Sequence, residues 1–302
     1  MKSKFYFLLS VIIFQSIAGI AQPQYKSTGA KNIVTKMVAA HGGIDKWNKA
    51  SALSYSHILV FGEPLGTEFW LSNEAIEIKT EKAYHDWPMF NGKLGYDGKK
   101  IWTENWKLDN PPGANLNNIY HALAMPFFTQ NKNVVLEELP KARILGGAIS
   151  GAALNQFADG NSADANAQEN KGIVVGDSAE YYVIKLTYAA GSHGSPHQYY
   201  KLFIDPQTYL LTALEFNITY APFLDLIGLP KEQKSFGPFT HVYYTYVKQD
   251  GLIFPEKYDS FDGQGHNSGR HIAFNYSIKR PFDAKRMVMP LGAVVANEKS
   301  DR

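Results

Sequence analysis

Cysteine is missing from this chain of 302 residues. Its absence excludes disulfide bonds, thiolate metal ligands, cysteine nucleophiles and the lipid-modified cysteine of a bacterial lipoprotein. A chain of this length buries enough surface to fold without disulfide bonds. The sequence therefore predicts a fold that is stabilised by its packed core alone.

The chain also lacks an excess of charge of either sign, since it has 30 basic and 28 acidic residues. No run of lysine or arginine supplies the electrostatic footprint with which proteins bind nucleic acid. Removal of residues 1–21 would take away Lys2 and Lys4 and bring the two signs into balance. We expect no nucleic-acid partner.

Long apolar runs are absent except at the N-terminus, where Phe5 to Ile17 is almost unbroken. Lys2 and Lys4 precede this run and Gly19-Ile20-Ala21 follow it, which is the order of a signal peptide and its cleavage site. We expect residues 1–21 to be removed and the mature protein to be periplasmic or extracellular. An uncleaved N-terminal anchor is the alternative. No later stretch approaches the about 20 apolar residues of a membrane-spanning helix.

Motifs for catalysis, metals and cofactors are missing as well. No serine lies in a nucleophile-elbow pattern, and no glycine-rich loop joins a strand to a helix with a phosphate-binding lysine. His193 and His197 flank a Gly-Ser-Pro turn, so they do not share a helical face as the histidines of an HExxH zinc site do. We expect no metal and no cofactor.

Aromatic residues are abundant instead: 18 Tyr, 18 Phe and 5 Trp make up 14% of the chain. The segment Tyr181–Tyr220 has the pattern of three consecutive antiparallel strands. In its last strand, from Leu214 to Tyr220, apolar and polar residues alternate, which is typical of a sheet with one apolar and one polar face. Turn signals recur at the intervals of an antiparallel barrel or sandwich with roughly ten strands.

Several turns and strand faces can be predicted locally. Ser72-Asn73 separates Thr67–Leu71 from Ala75–Thr80 and suits a tight hairpin. Asp97-Gly98 is a stronger hairpin signal, because such turns need residues that tolerate positive φ. In the last third, alternation predicts two apolar strand faces, one with Val242, Tyr244 and Tyr246 and the other with Ile272, Phe274, Tyr276 and Ile278.

Two segments have helical spacing. Residues 30–49 predict a helix that is capped by Thr28 and broken at Gly42-Gly43. The histidine before these glycines, His41, is predicted to cap the C-terminus, where the helix dipole favours a positive charge. Asn115–Gln130 predicts a second helix, which Pro126 kinks or ends.

Residues 146–172 are rich in Gly, Ala, Asn, Ser and Asp and show no periodicity. Such a segment is usually a flexible insertion, and a lid over a binding face is the alternative. No other internal boundary or repeat is visible. Residues 22–302 are therefore predicted to form one domain.

Some motifs resemble known families. GYDGKKIWTENW (Gly95–Trp106) resembles the strand–turn–strand of the LolA-like lipoprotein carriers, and YYKLFIDPQTYLLTALEF (Tyr199–Phe216) is similar to a later part of them. AAHGGIDKW (Ala39–Trp47), YHALAMPFF (Tyr120–Phe128) and FIDPQTYLL (Phe203–Leu211) look like a family of secreted Bacteroidetes proteins known as DUF6503. The resemblance implies a mainly β (α+β) fold, namely a curved, incomplete antiparallel β-barrel closed by an N-terminal helix and a middle helix. It also implies an apolar concave face that binds acyl chains without covalent chemistry.

From the aromatic alternation and this resemblance we predict a secreted, non-enzymatic, monomeric protein that holds a lipid, a lipoprotein or another apolar ligand in a half-barrel. The chain differs from the carriers in its length, its polar insertion and its C-terminal segment Met287–Arg302, so the prediction does not extend to lipoprotein carriage itself. The residues predicted to line the ligand face are Trp70, Trp102, Leu214, Phe216, Tyr244, Phe274 and Tyr276.

Two other functions stay open at this point. His57, His241 and His271 lie in predicted strands, where histidine is usually a surface or cross-strand partner. Register between distant strands cannot be derived from sequence, so a hydrolase site of histidine and carboxylate at the barrel mouth is one alternative. The other is a platform for an envelope protein, which would show a large exposed apolar patch.

Overall fold

The structure of the protein is a computed structural model that describes residues 23–61, 68–116, 118–144, 180–190 and 195–296. The predicted signal peptide and the predicted insertion lie outside these residues. Among the described residues, no helix is long and apolar enough to cross a membrane.

Strands make up most of the regular secondary structure of the described chain. In chain order the elements are β1 (Gln24–Tyr25), α1 (Thr28–Ala40), α2 (Ile44–Lys49), β2 (Ala52–Phe61), β3 (Glu68–Glu77), β4 (Ala83–Trp87), β5 (Gly92–Tyr96), β6 (Ile101–Glu104), α3 (Pro112–Leu116), α4 (Asn118–Phe128), β7 (Val134–Ala142), β8 (Tyr181–Tyr188), β9 (Tyr199–Ile204), β10 (Leu211–Ile218), α5 (Ala221–Leu226), β11 (Phe236–Gln249), β12 (Leu252–Phe261), β13 (Asn267–Ser277) and β14 (Val294–Val295). Two short 3₁₀ helices, Pro88–Phe90 and Ala284–Met287, complete the elements of the described residues.

The described strands form one sheet of 14 strands in the order β1-β7-β8-β9-β10-β11-β12-β13-β2-β3-β4-β5-β6-β14. Neighbours are antiparallel except for the short pair β1 and β7. Two meanders, β2–β6 and β7–β13, are joined where β13 pairs with β2. Because β1 and β14 are the two ends of the order, the sheet is curved but not closed. The predicted fold class, a mainly β incomplete barrel with few helices, is confirmed.

Helices cover one face of this sheet, which we call the inner face; the opposite face is the outer face. The apolar side of α1 is buried in the main core together with the aromatic side of α4. Trp47 of α2 stacks on Phe127 of α4, with ring centroids 4.6 Å apart and planes at 11°. The predicted closure of the barrel by an N-terminal and a middle helix therefore has a physical basis, since α1 and α4 bury their apolar sides in one core and α2 and α4 remove Trp47 and Phe127 from water.

Helix α1 begins one residue earlier than predicted. The cap is Ser27, whose side chain accepts a hydrogen bond from the N–H of Ala30 at 2.9 Å, and Thr28 is the first helical residue. Either side chain has the chemistry of a cap. Backbone geometry decides between Ser27 and Thr28, because Ser27 has the extended conformation that a cap residue needs.

The helix ends at Gly42-Gly43 as predicted, in a Schellman motif. The N–H of Gly42 donates to the carbonyl of Ala39, and the N–H of Gly43 donates to that of Val38. His41 is the cap residue, but the dipole argument for it was wrong. Its ring is buried and burial lowers its pKa to about 4, so the ring is uncharged. The ring instead joins distant strands, with Nδ1 3.0 Å from the carbonyl of Ile253 and Nε2 accepting from the N–H of Leu211 at 3.1 Å.

Of the two predicted hairpins, one is confirmed and one is wrong. Asp97-Gly98 lies in the connection between β5 and β6, where the Asp97 carboxylate accepts from the N–H groups of Lys99 and Lys100, each at 2.8 Å. Ser72-Asn73 forms no turn, because β3 runs through it from Glu68 to Glu77 and pairs with β2 along its whole length. The polar residues Ser72 and Asn73 suggested a turn there, but both side chains hydrogen-bond to other polar side chains of the sheet.

The two glycines after α1 allow a direct test of this end of the helix. Both have positive φ, of 104° for Gly42 and 90° for Gly43, so an alanine at either position carries a backbone cost of about 1–2 kcal/mol. A Cβ at Gly42 would lie 2.3 Å from the carbonyl oxygen of Gly251, whereas a Cβ at Gly43 would meet nothing within 4 Å. We expect Gly42→Ala to lower the free energy of unfolding by about 1–3 kcal/mol more than Gly43→Ala, measured by urea denaturation. Equal losses would show that α1 does not pack on the β11–β12 turn as described.

Candidate functional site

The seven residues predicted to line a ligand face do not share one face. Cross-strand partners lie on the same face of a sheet, and the register places four on the inner face: Trp70, Leu214, Phe216 and Tyr276. The other three lie on the outer face: Trp102, Tyr244 and Phe274. The prediction of a single aromatic face was therefore wrong in its side assignment.

β-bulges explain two of these errors. In β13 the pairing with β2 shifts between Phe274 and Ser277, and Asn275 has a φ of 55°. This extra residue turns Phe274 outwards and Tyr276 inwards, although they are two apart. In β11 the register shifts around Thr245, so Tyr244 packs on the outer face while Tyr246 returns to the main core. A strict period of two cannot anticipate such a shift.

Trp102 is buried on the outer face by the C-terminal segment. Its indole N–H donates to the carbonyl of Met287 at 3.1 Å, and its ring lies over Gly95, where a Cβ would be 2.2 Å from it. The guanidinium of Arg286 stacks 3.7 Å from the centre of the neighbouring Tyr84 ring. Trp102 therefore has a structural role, because it packs between the sheet and the C-terminal segment.

The middle of the inner face is filled by α4. Leu123, Met125 and Phe127 of this helix are fully or almost fully buried. The hydroxyl of Tyr243, in the centre of the sheet, donates to the carbonyl of Ala122 at 2.8 Å. The inner face is therefore not an open apolar trough where α4 covers it, and space for a ligand lies beyond the edge of the helix.

Such a space is present as a cavity of about 1100 Å³ beside α4. Its walls come from the β3–β4 turn, α3, α4, the ends of β8 and β10, and the start of α5. Apolar and aromatic side chains form one part of the wall, namely Ile78, Phe128, Val134, Phe216, Ile218 and Phe223. Asparagines form much of the rest: Asn110, Asn115, Asn118, Asn131, Asn133 and Asn217. Of the seven predicted ligand residues, Phe216 lies in this wall.

A small group of titratable side chains also lines the cavity, and we call it the cavity polar group: Glu81, His121, Tyr188 and Tyr200. Burial lowers the pKa of His121 to about 4 and raises the pKa of Glu81. Burial also raises the pKa of Tyr188 to about 12 and that of Tyr200 well above its usual value. At neutral pH the imidazole and both phenols are therefore uncharged.

Polar residues under the helices form a second group, separate from the cavity. The Glu74 carboxylate accepts from the hydroxyls of Tyr55 at 2.6 Å and Ser72 at 2.7 Å. His85 Nδ1 lies 3.5 Å from the same carboxylate. These residues share a cross-strand row on the inner face, from β2 across β3 to β4.

The histidines His57, His241 and His271 meet on the inner face and are buried. His57 Nε2 lies 3.0 Å from His271 Nδ1, and His271 Nε2 lies 2.7 Å from the hydroxyl of Ser260. The ring of His241 lies 5.4 Å from that of His271. Sequence reasoning named all three but could not tell that they meet, because the register between β2, β11 and β13 is a tertiary property.

This cluster does not support the hydrolase alternative as it stands. A reaction at Ser260 would require substrate to reach its hydroxyl. Neither the cavity of about 1100 Å³ nor a smaller one of about 520 Å³ on the outer face is lined by Ser260 or by the three histidines. In the part of the chain that the structure describes, no group of three or more His, Asp or Glu side chains is arranged to hold a metal ion.

Exposed apolar side chains, which a protein-interaction platform needs, concentrate near the C-terminus. The most exposed are Val288, Leu291 and Val294, and Met289 and Val295 lie among them. The segment is held to the sheet edge by the pairing of β14 with β6. The platform hypothesis stays a prediction.

The cavity polar group was missed at the sequence level. His121 falls between the core positions of α4, and Glu81 lies in a turn with a φ of 55°. A polar residue in an apolar helix was the one available signal, and it concerned His121 alone. The four side chains come from the β3–β4 turn, α4, β8 and β9, so their meeting is decided by the fold.

Comparison with known proteins gives distant structural likenesses only. No family model matches the chain, and no curated protein matches it. Among solved structures, a LolA superfamily protein from Nitrosomonas europaea has 10% identity and a TM-score of 0.47, over 85% of this chain and 96% of that one. A putative outer membrane lipoprotein-sorting protein domain from Vibrio parahaemolyticus has 8% identity and a TM-score of 0.45, over 86% and 96%.

A DUF1329 family protein from Desulfovibrio piger is similar to the same degree, with 9% identity and a TM-score of 0.46 over 85% and 96% of the two chains. At such identities a likeness concerns the fold alone, and at TM-scores below 0.5 it carries no argument about this chain. The resemblance to DUF6503 stays a prediction.

The buried histidines predict a specific dependence of stability on pH. Burial lowers the pKa of His57 to about 4 and of His241 to about 3, from 6.5. As the pH falls below 6.5 the unfolded chain binds protons that the folded chain does not, so stability is complete above pH 6.5 and is lost towards pH 4. Each such histidine contributes about 2 kcal/mol of loss between pH 6.5 and 5.

A matched pair of variants tests this. His241→Leu removes a buried ring whose Nδ1 has no hydrogen-bond partner among the described residues, and His197→Leu removes an exposed one. We expect the free energy of unfolding of His241→Leu to fall less steeply than that of the wild type from pH 6.5 to 5, by about 2 kcal/mol. His197→Leu should keep the wild-type slope. A wild-type slope in His241→Leu would contradict the burial of this imidazole.

Proposed function

We propose that this protein binds a lipid-like amphipathic molecule, without covalent chemistry, in the cavity beside α4. The observation that supports the proposal most directly is the composition of the cavity wall. An apolar part that includes Phe128, Phe216 and Phe223 adjoins a polar part of asparagines and the cavity polar group. Binding sites for small molecules combine an apolar lining with few convergent polar groups in this way.

The size and position of the cavity also favour a ligand with an apolar chain. Its volume of about 1100 Å³ exceeds what drug-sized ligands need, which is about 300–1,000 Å³. The wall belongs to the inner face where α4 ends, so an apolar chain there would extend the core that α4 and the sheet already form. We infer that Phe216 contacts the chain, and that Trp70, Leu214 and Tyr276 support the face beside it.

Secretion is part of the proposal. The N-terminal pattern of basic residues, apolar run and small residues predicts export, and a carrier or sensor of lipids outside the cytoplasm would use such a cavity. The bound acyl chain belongs either to a free lipid or to a lipidated protein. In both cases it occupies the same cavity.

A cavity-filling variant tests the proposal. Ala114 lies in the wall on α3, and Ala39 is exposed on α1 away from the cavity. We expect the wild-type protein to bind the neutral dye Nile red, and 1-monooleoylglycerol to displace it. Ala114→Trp should weaken this binding at least about tenfold, which is about 1.4 kcal/mol, because the indole occupies the cavity. Ala39→Trp should bind as the wild type does.

Native mass spectrometry of the protein from its own host gives an independent measurement. We expect an adduct that organic extraction identifies as an acyl lipid, and that is reduced in Ala114→Trp. Circular dichroism of the variants checks that they fold. Folded wild-type protein that carries no lipid and takes up neither Nile red nor 1-monooleoylglycerol would overturn the proposal.

A further inference from the structure

A second cavity, of about 520 Å³, lies on the outer face between the sheet and the segment that follows β13, and we call it the outer cavity. It shares no lining residue with the cavity beside α4. Its volume is within the range of about 300–1,000 Å³ that small-molecule sites have. Most of its lining residues are polar or charged, so its lining suits a polar ligand.

The floor of the outer cavity is a cross-strand row of three polar side chains. Ser56 on β2 pairs with Asn73 on β3, and Asn73 pairs with Asp86 on β4. The Ser56 hydroxyl donates to Asn73 Oδ1 at 2.8 Å, which leaves the Asn73 Nδ2 group as a donor. Lys93, the neighbour of Asp86 on β5, donates to Glu104 at 2.6 Å, and no described residue donates to the Asp86 carboxylate. The floor therefore offers a carboxylate acceptor beside amide donors.

Two arginines line the same cavity, and neither forms an ion pair with another described residue. The guanidinium carbon of Arg286 lies 3.7 Å from the centre of the Tyr84 ring. The ring occupies one face of this guanidinium, whereas its N–H groups point outwards in the plane and stay available. Arg280 lies six residues earlier in the same segment. Because guanidinium groups bind carboxylate and phosphate groups through paired hydrogen bonds, the two arginines indicate a site for an anionic group.

The segment that carries the arginines is fixed to the sheet at both ends. The N–H of Arg280 donates to the Ser277 hydroxyl at 3.2 Å, at the end of β13. The indole N–H of Trp102 on β6 donates to the carbonyl of Met287 at 3.1 Å. The cavity wall is therefore formed without a ligand, which lowers the free-energy cost of ordering it on binding.

We propose that the outer cavity binds a hydroxylated anion of the size of one sugar unit. Its acidic group binds Arg280 and Arg286, and its hydroxyl groups bind Asn73 and Asp86. The chemical class is a sugar acid. This site is separate from the cavity beside α4, so the inference goes beyond the proposed function and does not depend on it.

Both parts of the ligand are needed to match this lining. A simple anion satisfies the arginines but is repelled by the Asp86 carboxylate. A neutral sugar donates to Asp86 but gives the arginines no charged acceptor, and hydrogen bonds between charged groups are roughly twice as strong as neutral ones. Asp283 also lines the cavity, but it is exposed and its carboxylate accepts from the N–H of Lys285. Water therefore weakens its repulsion of an anion.

Three small ligands test the inference: galacturonate has the acid and the hydroxyl groups, galactose lacks the acid, and acetate lacks the hydroxyl groups. Each is titrated into the purified protein at pH 7.5 and low salt by isothermal titration calorimetry. We expect galacturonate to bind with a dissociation constant of about 1 mM or lower, and at least about tenfold more tightly than galactose or acetate.

Trigalacturonate distinguishes the two sources of such a sugar acid. Tighter binding of trigalacturonate than of galacturonate would assign the site to the acidic units of a polysaccharide. Equal or weaker binding would assign it to a free sugar acid. Either result supports the site.

Variants separate the contributions of the charged residues. Arg280→Gln should weaken galacturonate about fivefold, whereas Lys99→Gln removes the same charge from the exposed β5–β6 turn and should keep the wild-type affinity. Arg286→Lys keeps the charge but loses the planar group, and should weaken galacturonate about tenfold. Asp86→Asn removes the repulsion of acetate, and should reduce the preference for galacturonate over acetate.

The outcomes distinguish this inference from the proposed function. Folded protein that does not bind galacturonate, or binds all three small ligands equally, would overturn the site. Wild-type affinity in both Arg280→Gln and Arg286→Lys, with their folding checked by circular dichroism, would also overturn it. Nile red should bind all these variants as it binds the wild type, because the two cavities share no residue. Loss of the sugar-acid site therefore leaves lipid binding in place, and the reverse holds as well.

Discussion

Burial of one face of an unclosed sheet is the constraint on which the rest of this structure depends. A curved sheet of this kind leaves an apolar inner face that must be removed from water. Here α1, α2 and α4 do so together, with Trp47 stacked on Phe127 and Tyr243 hydrogen-bonded to the backbone of α4. His41 ties the end of α1 to two strands, so the position of the cover is set by hydrogen bonds as well as by packing.

The same cover explains the polar chemistry of the molecule. Beneath it, polar side chains have lost water, and several of them hydrogen-bond to one another, as Tyr55 does with Glu74 and as His57, His271 and Ser260 do in series. Desolvation keeps these imidazoles uncharged, which couples the fold to pH. The helices no longer cover the inner face beyond α4, and the cavity with His121 and Glu81 in its wall lies there. A structural role for the covered group and a binding role for the cavity follow from this difference in access.

Local signals predicted much of the architecture. Gly42-Gly43 ended a helix and Asp97-Gly98 marked a hairpin because each depends on backbone conformations that few residues adopt. The three strands predicted within Tyr181–Tyr220 were confirmed, but the last one ends at Ile218 and is buried on both faces, so its alternation does not mark a polar face. Errors arose where another strand decided the outcome: β3 continues through Ser72-Asn73 because β2 pairs with it, and the bulge at Asn275 exchanges the faces of Phe274 and Tyr276.

The sequence by itself determined that the protein is built from antiparallel strands with an apolar face, without disulfide bonds, and with helices at two places. These properties follow from composition and from interactions between residues close in the chain. Only the tertiary structure decided which aromatic residues face inwards, that three histidines meet, and that His121 and Glu81 lie 3.9 Å apart in a cavity. The physical reason is that these contacts join residues from distant strands and helices, and strand register and helix docking place such residues together through cooperative packing of the whole core.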